Sequence, residues 1–265
     1  MSVATVIDLP DTLIRARGVT VGFGDTVILE DLDLDVRRGE VLGIVGGSGT
    51  GKSVLLRALI GLVPRRAGTV EMFGTDIDRL TYAERDRIGR RWGVLFQQGA
   101  LFSSLTVREN VQVPMREHLD LDQKLMDELA ELKLALVGLP ADAAGKLPAQ
   151  LSGGMIKRAA LARALALDPE IVFLDEPTSG LDPIGAAEFD DLISTLSRTL
   201  DLAVFMVTHD LDSLHSVCDR IAVLSRKKVL VAGRLDQILA HDDAWIREYF
   251  HGPRARAVLT PAAPR

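Results

Sequence analysis

Between residues 32 and 36 apolar and acidic positions alternate strictly, with Leu32, Leu34 and Val36 set against Asp33 and Asp35. A period of two predicts a strand with one buried and one wet face. RRGE (Arg37–Glu40) reads as a turn, and VLGIV (Val41–Val45) follows as an unbroken apolar run of buried-strand length. Glycines come next, then SVLLRALIGL, whose apolar spacing is helical until Gly61 and Pro64 stop it. Strand-like runs return at Ile171–Asp175, at Ala203–Val207 and in IAVLS followed by KKVLVAG, with helical stretches between them. Such alternation predicts a parallel sheet covered by helices, with short, partly antiparallel strands ahead of it.

Residues from about 98 to 165 differ. Leu125, Leu129, Leu132 and Leu136 recur at helical spacing, Gly138 with Pro140 ends that helix, and β-branched runs are scarce. A helical lobe inserted into the α/β domain is predicted. After Phe250 the chain reads HGPRARAVLTPAAPR, without periodicity, so residues 251–265 are expected to be a mobile or docked tail rather than core. No internal repeat is present, so one domain spans residues 1–250.

Composition removes several classes of function. A chain of 265 residues, 47% hydrophobic and 26% charged, folds and buries a sizeable core. It contains no apolar run near the roughly 18 residues that span a bilayer, and MSVATVIDLP lacks the basic start and apolar centre of an export signal. The expected protein is therefore neither secreted nor integral to a membrane. The lone cysteine, Cys218, forms no internal disulfide and reads as a small buried hydrophobe. A net charge of −6 argues against a nucleic-acid partner. Of the two basic clusters, Arg85–Arg91 is interrupted by Asp86 and reads as a solvated helix face, and Arg226–Lys228 reads as a hairpin turn.

The chemistry begins at Gly46, Gly47, Ser48, Gly49, Thr50, Gly51, Lys52 and Ser53, which fit G-x4-G-K-[ST] between a buried strand and a helix opened by Val54. Glycines there let successive N–H groups turn inward around a phosphate, where a Cβ would clash. Lys52 is placed to reach β- and γ-phosphates and Ser53 to bind Mg²⁺. Downstream, Asp175 ends an apolar strand and suits the metal, and Glu176 next to it suits the polarisation of an attacking water. Gln97 follows the strand GVLF within reach of metal and water, and His209 follows AVFMVT, placed for a γ-phosphate contact. His118, His215, His241 and His251 have no such placement and read as surface or packing residues. A second phosphate-type helix start stands at LSGGMIKR, where Ser152, Gly153 and Gly154 precede Lys157 and Arg158.

Phosphate loop, Gln97, LSGGM, LDE, SGLD (Ser179–Asp182) and THD stand in the order and spacing that resemble an ABC-transporter ATPase subunit. The resemblance covers about residues 13 to 250. It implies a RecA-like P-loop α/β core with an N-terminal antiparallel β-subdomain and an inserted helical subdomain. It also implies ATP and Mg²⁺ as cofactors and a homodimer in which each ATP lies between one phosphate loop and the partner's signature serine and glycines, which explains two phosphate-type helix starts in one chain. By the same resemblance Phe23 stacks on adenine, Gln97 senses metal and membrane partner, Asp182 couples the two sites, and Lys52, Glu176 and His209 join Gln97 in catalysis. Met155 after SGG, Gly-Ala-Leu-Phe after the Q-loop, and Pro-x-Arg-Glu-His are similar to the ATPases of Mla and Mce-type lipid transporters, although Leu101 and Phe102 also suit plain packing. Gly47 stands where proline is common, a change that a loop position accommodates.

These likenesses imply a membrane permease, Mce-type lipid-binding and small regulatory subunits, and a place on the cytoplasmic face of the inner membrane. An ATPase of a polar-solute importer is the alternative. A soluble ABC ATPase of DNA repair or translation lacks support, having two modules or coiled-coil insertions, and intact Glu176 and His209 argue against a module without turnover.

Overall fold

The computed structural model describes residues 11–251. β1 (Thr12–Phe23) and β2 (Thr26–Arg37) form an antiparallel hairpin that buries Leu32, Leu34 and Val36. Both strands run twelve residues, longer than the short strands expected. Register shifts around Ala16, Val19 and Val21 account for the length, because each bulge adds twist and lets pairing continue around the core. Gly39, at φ 62°, turns the chain into β3 (Val41–Val45), all five residues of which are buried. The phosphate loop leads into α1 (Lys52–Leu59), and β4 (Ala67–Met72) then pairs with β1 before turning into β5 (Thr75–Asp76). The first sheet therefore has the order β2-β1-β4-β5.

α2 (Tyr82–Gly89) starts at a capping box between Thr81 and Glu84. Arg85 and Arg87 on it are exposed, as a solvated face requires. Arg91 beyond its end departs from that expectation. It pairs with Glu170 at 2.5 Å and lies 3.7 Å over the Phe73 ring. β6 (Trp92–Leu95) is an edge strand of the second sheet, to which β3 also belongs, and leads into the helices.

α3 (Val107–His118) is capped by Thr106 and Glu109, α4 (Gln123–Leu136) by Asp122, and α5 (Gly153–Ala164) by Ser152. The face of α4 that enters the core carries Met126, Ala130 and Leu134, whereas Leu125, Leu132 and Leu136 stay exposed. The leucine spacing thus marks the helix without marking its buried face. Each large side chain so buried stabilises the lobe by about 1.5–3 kcal/mol.

The remaining elements are β7 (Ile171–Asp175), α6 (Pro183–Leu200), β8 (Ala203–Val207), α7 (Leu211–Ser216), β9 (Arg220–Ser225), β10 (Lys228–Gly233), α8 (Leu235–Leu239) and α9 (Ala244–His251). Their sheet has the order β10-β9-β3-β8-β7-β6 and is parallel except for β10, whose hairpin with β9 turns at Arg226 and Lys227. Gly43 in β3 is a close approach, since a Cβ there would come within 2.7 Å of Cys218 Sγ and 2.8 Å of Leu214. Burial pushes the Cys218 thiol far above its ordinary range, so it packs rather than reacts. Among the described residues no helix is long and apolar enough to cross a membrane. The expected tail falls, after His251, outside the described residues.

Candidate active site

Strand register builds the site. In the parallel sheet Leu95 pairs with Leu174, and Asp175 pairs with Val207, so β6, β7 and β8 end level with one another. Residues just past those ends therefore share one edge: Gln97 after β6, Glu176 after β7 and His209 after β8. Open α/β sheets bind ligands at this carboxyl edge. Gln97 Nε2 donates to Glu176 Oε2 at 2.9 Å, and His209 Nδ1 lies 3.3 Å from Glu176 Oε1. The Glu176 carboxylate is thus held on both oxygens.

β3, next to β8, delivers the phosphate loop to the same edge. Gly49 and Gly51 take φ of 76° and 99°, and a Cβ on Gly46 would fall 2.4 Å from the Leu224 carbonyl, so the loop's shape needs its glycines. Thr50 closes the turn by donating from Oγ1 to the Gly47 carbonyl at 2.9 Å. Lys52 Nζ donates to the carbonyls of Gly46 and Gly47 at 2.9 and 3.1 Å, and burial lowers its pKa while Glu176 and Asp175 act in the opposite direction. Ser53 Oγ donates to Asp175 Oδ1 at 2.9 Å; burial raises the pKa of Asp175, and that hydrogen bond opposes the rise.

A cavity of about 680 Å³ lies over the loop, bordered by Phe23 and Ile28 and by Glu176 and His209. Gly46, Gly47, Ser48, Gly49, Gly51, Lys52, Ser53 and Val54 line it, while Thr50 supports it from behind. Phe23 is 53% exposed, an open aromatic face at the mouth. Ser53 and Asp175, joined by their hydrogen bond, and Gln97, joined to Glu176, carry oxygens of the kind Mg²⁺ takes beside phosphates, although Asp175 and Gln97 do not themselves line the cavity.

Ser152, Gly153, Gly154 and Asp182 do not line this cavity. Ser152 and Gly153 are exposed at the start of α5, and Asp182 caps α6 by accepting from the N–H groups of Ile184 and Gly185. Lys157 and Arg158 do not face an anion at that helix start either. Lys157 is buried, donating from Nζ to the carbonyls of Gln97 and Glu176, and Arg158 donates to the Val137 carbonyl and pairs with Glu188. Both cations are thus engaged by carbonyls and a carboxylate away from Ser152 in the chain.

Two lining residues, Trp245 and Tyr249, escaped the sequence reading. Their rings stack at 4.7 Å with 15° between planes, and Tyr249 Oη donates to the His209 carbonyl at 2.7 Å. An aromatic pair four residues apart on a short terminal helix was the available signal.

The ABC transporter family description matches residues 29–179. Over 241 residues the chain is 41% identical to the probable ribonucleotide transport ATP-binding protein mkl of Mycobacterium leprae, covering 91% of this chain and 69% of that protein. It is 38% identical over 240 residues to the intermembrane phospholipid transport system ATP-binding protein MlaF of Haemophilus influenzae, covering 91% of this chain and 90% of that one. Among solved structures, a dimeric post-hydrolysis state of an ATP-binding cassette bound to ADP and Pi matches with a TM-score of 0.76 at 30% identity, over 84% of this chain and 98% of that chain. With a phosphate loop, two carboxylates and a histidine along one sheet edge, the chain belongs to the ABC transporter family as one of its ATP-hydrolysing subunits.

Proposed function

We propose that this ATPase drives the movement of phospholipid or another lipid between envelope membranes, as a head-to-tail homodimer on an integral-membrane permease at the cytoplasmic face of the inner membrane. The observation that carries the chemistry is the clamp of Gln97 and His209 on Glu176, which borders the same cavity as Lys52. The lipid cargo is supported by likeness to MlaF along nine-tenths of both chains. The mycobacterial relative's name favours a ribonucleotide instead, so a polar-solute transporter is the second reading.

In the proposed cycle Phe23 stacks on adenine, and the N–H groups of residues 46–51 hold the β-phosphate. Lys52 exchanges its loop carbonyls for β- and γ-phosphate oxygens. Ser53, Asp175 and Gln97 hold Mg²⁺, which neutralises phosphate charge when bound. Glu176 accepts a proton from the attacking water, and His209 contacts the γ-phosphate, giving ADP and phosphate. Ser152 and Gly153 lie exposed, with Gly154 half-buried beside them, and none of the three lines its own cavity, which suits a role at a second copy's nucleotide, with Asp182 coupling the sites. ATP then closes the dimer and hydrolysis opens it. We assign residues 1–250 to the ATPase domain with its helical lobe at about 98–165, and 251–265 to a tail that docks on a neighbour. Mce-type lipid-binding and small regulatory subunits complete the proposed complex.

The test is affinity purification of the Glu176→Gln protein from native membranes with ATP-Mg²⁺, followed by mass spectrometry. A polytopic permease, a membrane-anchored lipid-binding partner and enriched phospholipid are expected. A permease with a small-solute binding protein, or enriched ribonucleotide, replaces the lipid reading with the second one.

A further inference from the structure

Glu176 adopts the left-handed backbone conformation, φ 49°, which costs a residue with a Cβ roughly 1–2 kcal/mol. Such a residue stays in place only where its surroundings over-determine it. Its N–H donates to the Val207 carbonyl at 2.8 Å, and its carbonyl accepts from Lys157 Nζ at 3.1 Å. The same ammonium donates to the carbonyl of Gln97, whose side chain grips the Glu176 carboxylate. One cation on α5 thus holds the main chains of both loops whose side chains meet at the Glu176 carboxylate, and Glu176 borders the cavity.

Lys157 is 5% exposed, and burial lowers its pKa against the pull of the Glu176 and Asp175 carboxylates. Burying an ammonium costs several kcal/mol, so a methionine of similar length would fill the space more cheaply. What methionine lacks is donors, and only a donor-rich tip bridges two carbonyls from separate loops. The grip continues along α5, where Arg163 donates to the carbonyls of Gly99 and Ala100 at 2.9 and 2.8 Å. Residues 97–100 are therefore fastened to the helix whose first residues are Gly153 and Gly154.

We infer that Lys157 is a positioning residue for hydrolysis, fixing the backbones of Gln97 and Glu176 so that the carboxylate faces the γ-phosphate end of the cavity. This rests on the proposed role of Glu176 as the group that takes the proton from water. Because α5 also presents Ser152 to the partner's nucleotide in the proposed dimer, the same ammonium joins one ATP site to the carboxylate serving the other.

The experiment measures steady-state ATP hydrolysis, nucleotide affinity and thermal unfolding of the full chain for Lys157→Met, Lys157→Arg and Glu176→Gln. Lys157→Met is expected to lower kcat roughly tenfold or more with KM for ATP within about threefold, because the interaction acts on the transition state rather than on binding. Lys157→Arg keeps charge and donors and is expected to restore much of the rate. If the methionine variant does not fold, Lys157→Gln, with one donor amide, takes its place in the comparison. Parental kcat in a folded Lys157→Met protein beside an inactive Glu176→Gln protein overturns the role of Lys157 alone. Parental turnover in Glu176→Gln overturns the reading of Glu176 and this inference with it. A joint fall in kcat, nucleotide affinity and unfolding temperature without rescue by arginine makes Lys157 merely structural and also overturns the inference.

Discussion

Tyr249 Oη donates to the main-chain carbonyl of His209 at 2.7 Å, so the last described helix holds the loop that carries the histidine. Burial, aided by Asp210, pushes the phenol up to about 12, so it remains a donor at every pH at which the protein works. Tyr249→Phe removes a single hydrogen bond, worth about 1 kcal/mol. It is expected to lower kcat by roughly three- to tenfold while KM for ATP stays within about twofold, because His209 rather than the phosphate loop loses its support. Steady-state hydrolysis from pH 7 to 9 should show the same ratio of mutant to parent throughout. A ratio that changes with pH would assign the effect to a titrating group.

Trp245 stacks on that tyrosine, and a Cβ placed on Gly47 would lie 3.5 Å from its indole nitrogen. It is one of two tryptophans in the chain; the other, Trp92, lies in β6. In a Trp92→Phe protein, emission from Trp245 is expected to change saturably with ATP-Mg²⁺. The same titration in a Lys52→Ala, Trp92→Phe protein should be flat or shifted to much higher nucleotide concentration. A signal insensitive to nucleotide in the first protein would separate α9 from the phosphate loop.

The contrast between Lys157 and the phosphate loop shows which parts of the site a sequence carries. Gly46–Ser53 is contiguous and its geometry is local, because the glycines, the preceding apolar strand and the following helix all lie between Val41 and Leu59. The level ends of β6, β7 and β8 follow from the parallel register of three short runs, of four, five and five residues. Lys157 reads from sequence as a cation beside a helix N-terminus, yet its side chain is buried on two carbonyls of other loops. Which way a helix turns its lysine depends on what packs against it, and residues 97 and 176 are distant in the chain. The same limit hides the buried face of α4, since Leu125, Leu132 and Leu136 satisfy helical spacing but face away from the neighbours of Met126 and Leu134. Trp245 and Tyr249 share their helix with buried Ile246 and Phe250, so apolar spacing alone assigns all four to packing.

Asp190 is a buried acid outside the catalytic edge, accepting from Ser213 Oγ at 2.6 Å through Oδ2 while its other oxygen has no partner. Burial pushes its pKa up to about 6 from an ordinary value of 3.8, the Ser213 bond opposing and Asp210, Asp191 and Asp212 adding to the rise. Between those values the folded chain holds a proton that the unfolded chain has lost. Stability therefore falls as pH rises through the window, and the penalty is complete above about pH 6. A two-unit shift sets an upper bound on the order of 3 kcal/mol. Asp190→Asn keeps the acceptor for Ser213 and removes the charge. It is expected to raise the unfolding temperature at pH 8 and to lose that advantage at pH 4, and an equal difference at both would show that ionisation of Asp190 is not the cause.

Phe102 stands 52% exposed beside a groove of about 490 Å³ between β6 and α3, with the Arg163 guanidinium 6.0 Å from its ring centre. If a permease segment enters this groove, it meets that exposed ring, beside the carbonyls of Gly99 and Ala100 that Arg163 fastens. Covering the exposed part of a phenylalanine contributes about 1–2 kcal/mol. Placing a carboxylate there instead adds a desolvation cost to the same contact. Phe102→Asp is therefore expected to abolish or weaken co-purification with the membrane permease at least tenfold. It should leave unfolding temperature and ATP affinity near the parental values, because the ring contributes little to the core and does not line the nucleotide cavity. Assembly at parental strength with Asp at this position would show that the groove is not where the permease docks.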